Sequence, residues 1–187
     1  MFREPPTRST AALLAALLAA GALGAPALSA QNAAPCSAEA YRQFDFWVGT
    51  WDVRAAGSQN PPARNVIRRS LRDCVIHEHY RTPSGYEGQS FNIYDRTRGV
   101  WHQTWVDNTG LLLRLEGGFA DGAMVLEGDG MDRQRRPTRE RITWRPIDGD
   151  PDRVSQRWER SLDGGKTWTM IFDGVYTRVK DDGGADR

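Results

Sequence analysis

Between Phe46 and Val179 the chain alternates apolar and polar residues in short runs, with Gly, Pro, Asn and Asp gathered between them. A period of two is that of strands with one face turned to a core, whereas a helix would repeat near 3.6. Ten such runs stand out: "FWVGTWDV", "RNVIRRSL", "CVIHEHYR", "EGQSFNIYD", "GVWHQTWVD", "LLLRLEGGF", "GAMVLEG", "RERITWRP", "RVSQRWERS" and "TWTMIFDGVYTRV". The links "RTRG", "NTG", "ADG" and "LDGGK" have hairpin composition. Successive hairpins with no long helix predict an all-β antiparallel meander. About ten strands would close into an up-and-down barrel, which removes exposed edges. Ahead of the barrel, "SAEAYRQFDF" predicts a short helix with Ser37 as its N-cap and Tyr41 and Phe44 one turn apart.

The first thirty residues follow a different pattern. Arg3 and Arg8 precede "AALLAALLAAGALGAPALSA", an apolar run with a small-residue ending, which is the layout of a secretory signal peptide cleaved near Ser29 or Ala30. A retained membrane anchor fits less well, because the run is short, rich in Ala and broken by Gly and Pro. The predicted organisation is a signal peptide over 1–30, an N-terminal segment with a short helix over 31–43, a barrel domain over 44–180 and a flexible tail over 181–187. The expected location is periplasmic or secreted, with no membrane anchor once the signal is removed.

Composition narrows the partners. Removing residues 1–30 leaves 23 basic and 23 acidic side chains of the original 25 and 24, with the signs interleaved. Nucleic-acid binders concentrate positive charge, so no nucleic acid is expected. The roughly 155 residues that remain suit one domain able to bury a sizeable core. The two cysteines, in an oxidising compartment, predict a Cys36–Cys74 disulfide contributing about 3 to 4 kcal/mol. The alternative is two unrelated buried thiols.

The stretch "WHQTWVDNTG" carries the candidate chemistry. Alternation places Trp101, Gln103 and Trp105 on one face, and an amide buried between indoles costs about 1 to 3 kcal/mol if it stays unpaired. Candidate partners on neighbouring inward faces are Glu78 and Tyr80, Asn92 and Tyr94, and Gln156 with Trp158. The inward face of "SFNIYD" is contested by Phe91 and Ile93. A polar patch set in aromatics is the composition of a ligand pocket, here for a small hydrophobic or amphipathic molecule. A filled barrel with a self-satisfied hydrogen-bond network, serving as a structural or interaction protein through its surface, is the competing reading. Glu78 in an apolar interior could also serve as an acid or base, which would make the protein a hydratase- or isomerase-type enzyme. The His77-x-His79 pair lacks a third ligand at a diagnostic spacing, so no metal and no cofactor is expected. "SLDGGKTW" resembles the Asp-box hairpin of sialidase-type propellers, but one copy reads as a turn device.

"FDFWVGTWDV" carries a Gly-x-Trp at the opening of its strand, which resembles the calycin superfamily of lipocalins, fatty-acid-binding proteins and nitrobindin-like haem barrels. Together "RQFDFWVGTWDV", "DCVIHEHY", "SFNIYD", "WHQTWVDNTG" and "SLDGGKTWTMIFDGVYTR" look like a family of exported bacterial proteins with a predicted calycin-like barrel. The resemblance implies a fold and a compartment and assigns no activity. Relative to nitrobindin-like barrels, no histidine follows His102, so a C-terminal haem ligand is missing.

Overall fold

A computed structural model describes residues 33–180; the signal-peptide reading and the tail lie outside the described residues. Within them the chain forms β1 (Gly49–Ala55), β2 (Ala63–Ser70), β3 (Val75–Arg81), β4 (Glu87–Asp95), β5 (Val100–Asp107), β6 (Leu112–Ala120), β7 (Ala123–Met131), β8 (Pro137–Ile147), β9 (Asp150–Ser161) and β10 (Thr169–Arg178). Each strand pairs antiparallel with the next, and β1 pairs with β10 to close the barrel. Every expected run became a strand, because hairpin links force sequential pairing and closure leaves no unpaired edge. Among the described residues no helix is long and apolar enough to cross a membrane.

The N-terminal segment departs from expectation. Instead of one helix capped by Ser37, it makes two 3₁₀ turns, Glu39–Arg42 and Asp45–Trp47, and the first starts at Ala38 with no side-chain cap. Tyr41, Phe44 and Trp47 lie three apart, and a 3₁₀ turn with three residues per turn stacks such positions on one side. The strand that follows begins at Gly49, five residues later than the expected start of the barrel domain at 44.

Those aromatics close one end of the barrel. Phe44 stacks on Trp47 at 4.7 Å and meets Trp144 and Trp101 edge-on at 5.2 and 5.7 Å. Trp51 donates Nε1–H to the Trp47 carbonyl at 2.9 Å, and the Arg178 guanidinium lies 4.1 Å from the centre of its ring. Arg178 also donates to the Val48 carbonyl, at 2.9 Å. A Cβ on Gly49 would stand 2.1 Å from Arg178 Nη1, and φ there is +150°, so the Gly-x-Trp pair marks where that side chain crosses the chain.

The Cys36–Cys74 disulfide forms, with Cα atoms 5.1 Å apart, and fastens this segment to the β2–β3 turn. Arg42 reinforces the junction by donating to the carbonyls of Asp73 at 2.8 Å and Cys36 at 3.2 Å. The turn itself is strained: Leu71, Arg72 and Asp73 all have positive φ, which costs a side-chain-bearing residue about 1 to 2 kcal/mol.

Inside the barrel the alternation holds. Leu113 and Leu115 of β6 and Val154 of β9 are buried, with Arg114, Glu116 and Arg157 on the outer side. The β4 contest resolves toward the polar set. Ser90 and Asn92 are fully buried, while Phe91 and Ile93 are 52% and 38% exposed. At the β9–β10 turn, Asp163 accepts hydrogen bonds from the Ser161 and Thr167 hydroxyls and the Lys166 and Thr167 amides, and Trp168 donates to the Gly165 carbonyl. The Asp box is therefore a turn clamp.

Candidate functional site

Seven of the interior polar residues are joined into one network around Glu78. Gln103 Nε2 donates to Asn92 Oδ1 at 2.8 Å, Asn92 Nδ2 to Ser90 Oγ at 2.8 Å, and the Ser90 hydroxyl to Glu78 Oε2 at 2.6 Å. From the other side Asn65 Nδ2 donates to Glu78 Oε1 at 2.7 Å and to the Tyr176 hydroxyl at 3.3 Å. Tyr176 in turn donates to Gln156 Oε1 at 2.5 Å. Six strands contribute, and register places Asn92 opposite Gln103 and Glu78 opposite Ser90. The amide buried among indoles is thereby satisfied: Gln103 is the outer link of a chain of donors running toward a carboxylate.

That carboxylate is 4% exposed. Burial pushes Glu78 up to about 7, outweighing the hydrogen bonds from Ser90 and Asn65 that favour its charged form. Burial also raises the Tyr80 phenol, helped by the nearby Glu78 charge, and Tyr176 goes up for the same two reasons. Both phenols thus stay neutral where Glu78 titrates.

One side of the network opens onto a cavity of about 270 Å³. Glu78, Gln103 and Gln156 supply its polar wall, and Tyr80, Tyr86, Trp105, Trp144, Trp158 and Tyr176 supply most of the rest. At the rim Asp107 accepts from Tyr86 Oη at 2.8 Å and, at 3.4 Å, from Trp105 Nε1. The same carboxylate holds its own hairpin by accepting from the Thr109 amide and hydroxyl and the Leu111 amide. Burial works against its charged form, but those bonds prevail and keep Asp107 below the ordinary carboxylate range.

Of the residues expected at the site, Glu78, Tyr80, Gln103, Trp105, Gln156 and Trp158 line this cavity. Asn92 lies behind it, bonded to Gln103, Ser90 and the Ile76 carbonyl. Trp101 and Tyr94 do not reach it. Trp101 shares a face with Gln103 but lies one side-chain repeat nearer the closed end, where it packs on Phe44 and donates to Gln43 Oε1 at 3.1 Å. Tyr94 packs edge-on against Tyr41 at 5.3 Å, beside the disulfide. Both serve the plug.

Asn65, Ser90, Tyr86, Trp144, Phe172 and Tyr176 belong to the site but were not among the expected residues. Their signal was present in part: Asn65 alternates with the buried Ala63 and Ile67, and Trp144 with the buried Ile142 and Glu140. Glu140, 1% exposed, is a second interior carboxylate. It accepts from Trp158 Nε1, Arg160 Nε and Thr138 Oγ, each at 2.7 Å, so a cation compensates it.

His77 and His79 point outward. His77 stacks on Phe91 at 4.7 Å and shares a hydrogen bond with Gln89, while His79 pairs with Glu87. No group of three His, Cys, Asp or Glu among the described residues could hold a metal ion.

Gly88 seats Trp105: a Cβ there would stand 2.2 Å from indole Cζ2. The Gly88→Ala substitution is expected to drive the indole off its seat at a cost of about 1 to 3 kcal/mol. Urea unfolding and the intrinsic tryptophan emission check this; an unchanged midpoint and spectrum would contradict it.

Compared with known proteins, the chain matches no protein-family model and no curated protein.

Proposed function

We propose that this chain is an exported, calycin-like barrel that binds a small amphipathic or aromatic molecule in the cavity beside Glu78. The observation carrying this reading is the pairing of a polar wall, Glu78, Gln103 and Gln156, with an aromatic wall of Tyr80, Trp105, Trp144 and Trp158. Few polar groups among many aromatic ones orient a ligand while apolar area supplies its affinity. Export to the periplasm or exterior agrees with the Cys36–Cys74 disulfide. The volume lies just below the ~300 to 1,000 Å³ of drug-sized pockets, which favours a small occupant.

Native mass spectrometry of the protein expressed from its full sequence into an oxidising compartment tests this. The expected result is a co-purified mass that is lost in Trp105→Ala and Gln103→Leu. A clean apo mass, with no change in tryptophan fluorescence across a metabolite panel, would favour a barrel acting through its outer surface.

A second reading rests on one observation, that Glu78 is a buried carboxyl in the cavity wall, where burial pushes it up to about 7. A group poised there can take and return a proton, as a hydratase or isomerase requires. Glu78→Gln then abolishes turnover while a bound molecule is retained; weaker binding with turnover intact would exclude that role.

A further inference from the structure

We infer that the cavity selects an organic ammonium, a small aromatic or amphipathic amine whose cationic head pairs with Glu78. This deepens the binding reading above and rests on it. Among the described residues lining the cavity, Glu78 is the one charged group, and no Lys, Arg or His shares its wall. The other interior carboxylate, Glu140, has Arg160 at 2.7 Å. Glu78 has only neutral donors, Asn65 and Ser90, one on each oxygen. A carboxylate accepts about four hydrogen bonds, so lone pairs remain on the cavity side.

Every element packed against Glu78 is neutral where it meets it. From β2 comes Asn65, from β4 Ser90, from β10 Tyr176, and from its own strand Tyr80. Asn65 Oδ1, outside the cavity lining, is buried with no partner. An ammonium supplies both the donors and the positive charge. The indoles and phenols around it suit the same occupant, since aromatic rings attract cations and stack on the ligand's apolar body. An anionic ligand would meet an uncompensated like charge in a low-dielectric site.

Isothermal calorimetry with three probes of one shape tests the assignment: 2-phenylethylamine, 2-phenylethanol and phenylacetate. At pH 8.5 the amine is expected to bind at least about tenfold more tightly than the alcohol, in line with a charge-assisted bond. Lowering the pH to 5.5 protonates Glu78 while the amine keeps its charge. The competent fraction then falls, and amine affinity drops toward that of the alcohol, by up to about thirtyfold. Alcohol binding changes little, and phenylacetate does not bind.

In Glu78→Gln the amine and the alcohol bind alike at both pH values, and retained alcohol binding shows that the variant is folded. Alcohol binding equal to or tighter than the amine in the wild type overturns the ammonium assignment and leaves the binding reading standing. An amine preference that survives in Glu78→Gln also overturns it. If no probe binds and the native mass is clean, both readings fall.

Discussion

At pH 8.5 the Glu78→Gln variant will be more stable than the wild-type barrel by about 3 kcal/mol. Glu78 is raised from its ordinary 4.5 to about 7 in the folded protein, and each unit of difference corresponds to about 1.4 kcal/mol. Above pH 7 the carboxyl is ionised in both states, so folding carries the full cost of burying the charge. Between pH 7 and 4.5 the folded state holds a proton that the unfolded state does not, and stability rises as pH falls. Below 4.5 both states are protonated and the cost is gone.

Glutamine removes the charge and keeps the shape. Its oxygen can accept from Asn65, and the Ser90 hydroxyl can turn to accept from its amide. Urea unfolding of both proteins from pH 4.5 to 8.5 should therefore show curves that converge at the acid end. A variant less stable than wild type at pH 8.5 would mean that the Asn65 and Ser90 bonds outweigh desolvation. Such a carboxylate lowers the stability of the empty barrel above neutrality, as expected of a group retained for binding or chemistry.

Replacing both cysteines by serine is expected to cost about 4 kcal/mol. The bridge closes a loop of 38 residues, and the chain-entropy relation sets the scale. What it holds is specific: the segment carrying Phe44 and Trp47, two fully buried side chains of the closed end, against a turn of three residues with positive φ. Without the bridge that strain opposes the junction, and the Arg42 bonds to Cys36 and Asp73 remain as its polar ties. Urea unfolding of wild type with and without reductant, beside the double variant, measures the loss. A change below about 1 kcal/mol would show that aromatic packing alone seats the plug.

Much of this protein is legible in one dimension. A period of two, broken by turn residues, specifies ten strands and the inward face of most of them, which is why Glu78, Gln103, Gln156 and Trp158 were within reach of inspection. The cysteine count and an oxidising compartment point to the disulfide that forms. Alternation assigns a face but no depth along the barrel. Trp101 and Trp105 are equivalent by parity, yet one packs in the plug and the other lines the cavity.

Tertiary structure also decided three further matters. Phe91 and Ile93 yield the interior to Ser90 and Asn92 because the neighbouring strands offer Glu78 and Gln103 as partners, and a satisfied polar network can be buried. The N-terminal segment takes 3₁₀ turns because Tyr41, Phe44 and Trp47 must face the barrel end together. Last, Glu140 meets Arg160 while Glu78 meets no cation among the described residues. That difference arises from the register of β8 on β9, where Glu140 faces Arg160, and is invisible to composition. Local periodicity sets strand identity and facing, because side-chain direction is a property of the backbone. Depth, partner and charge compensation depend on which strands close on which, so they exist only once the barrel is shut.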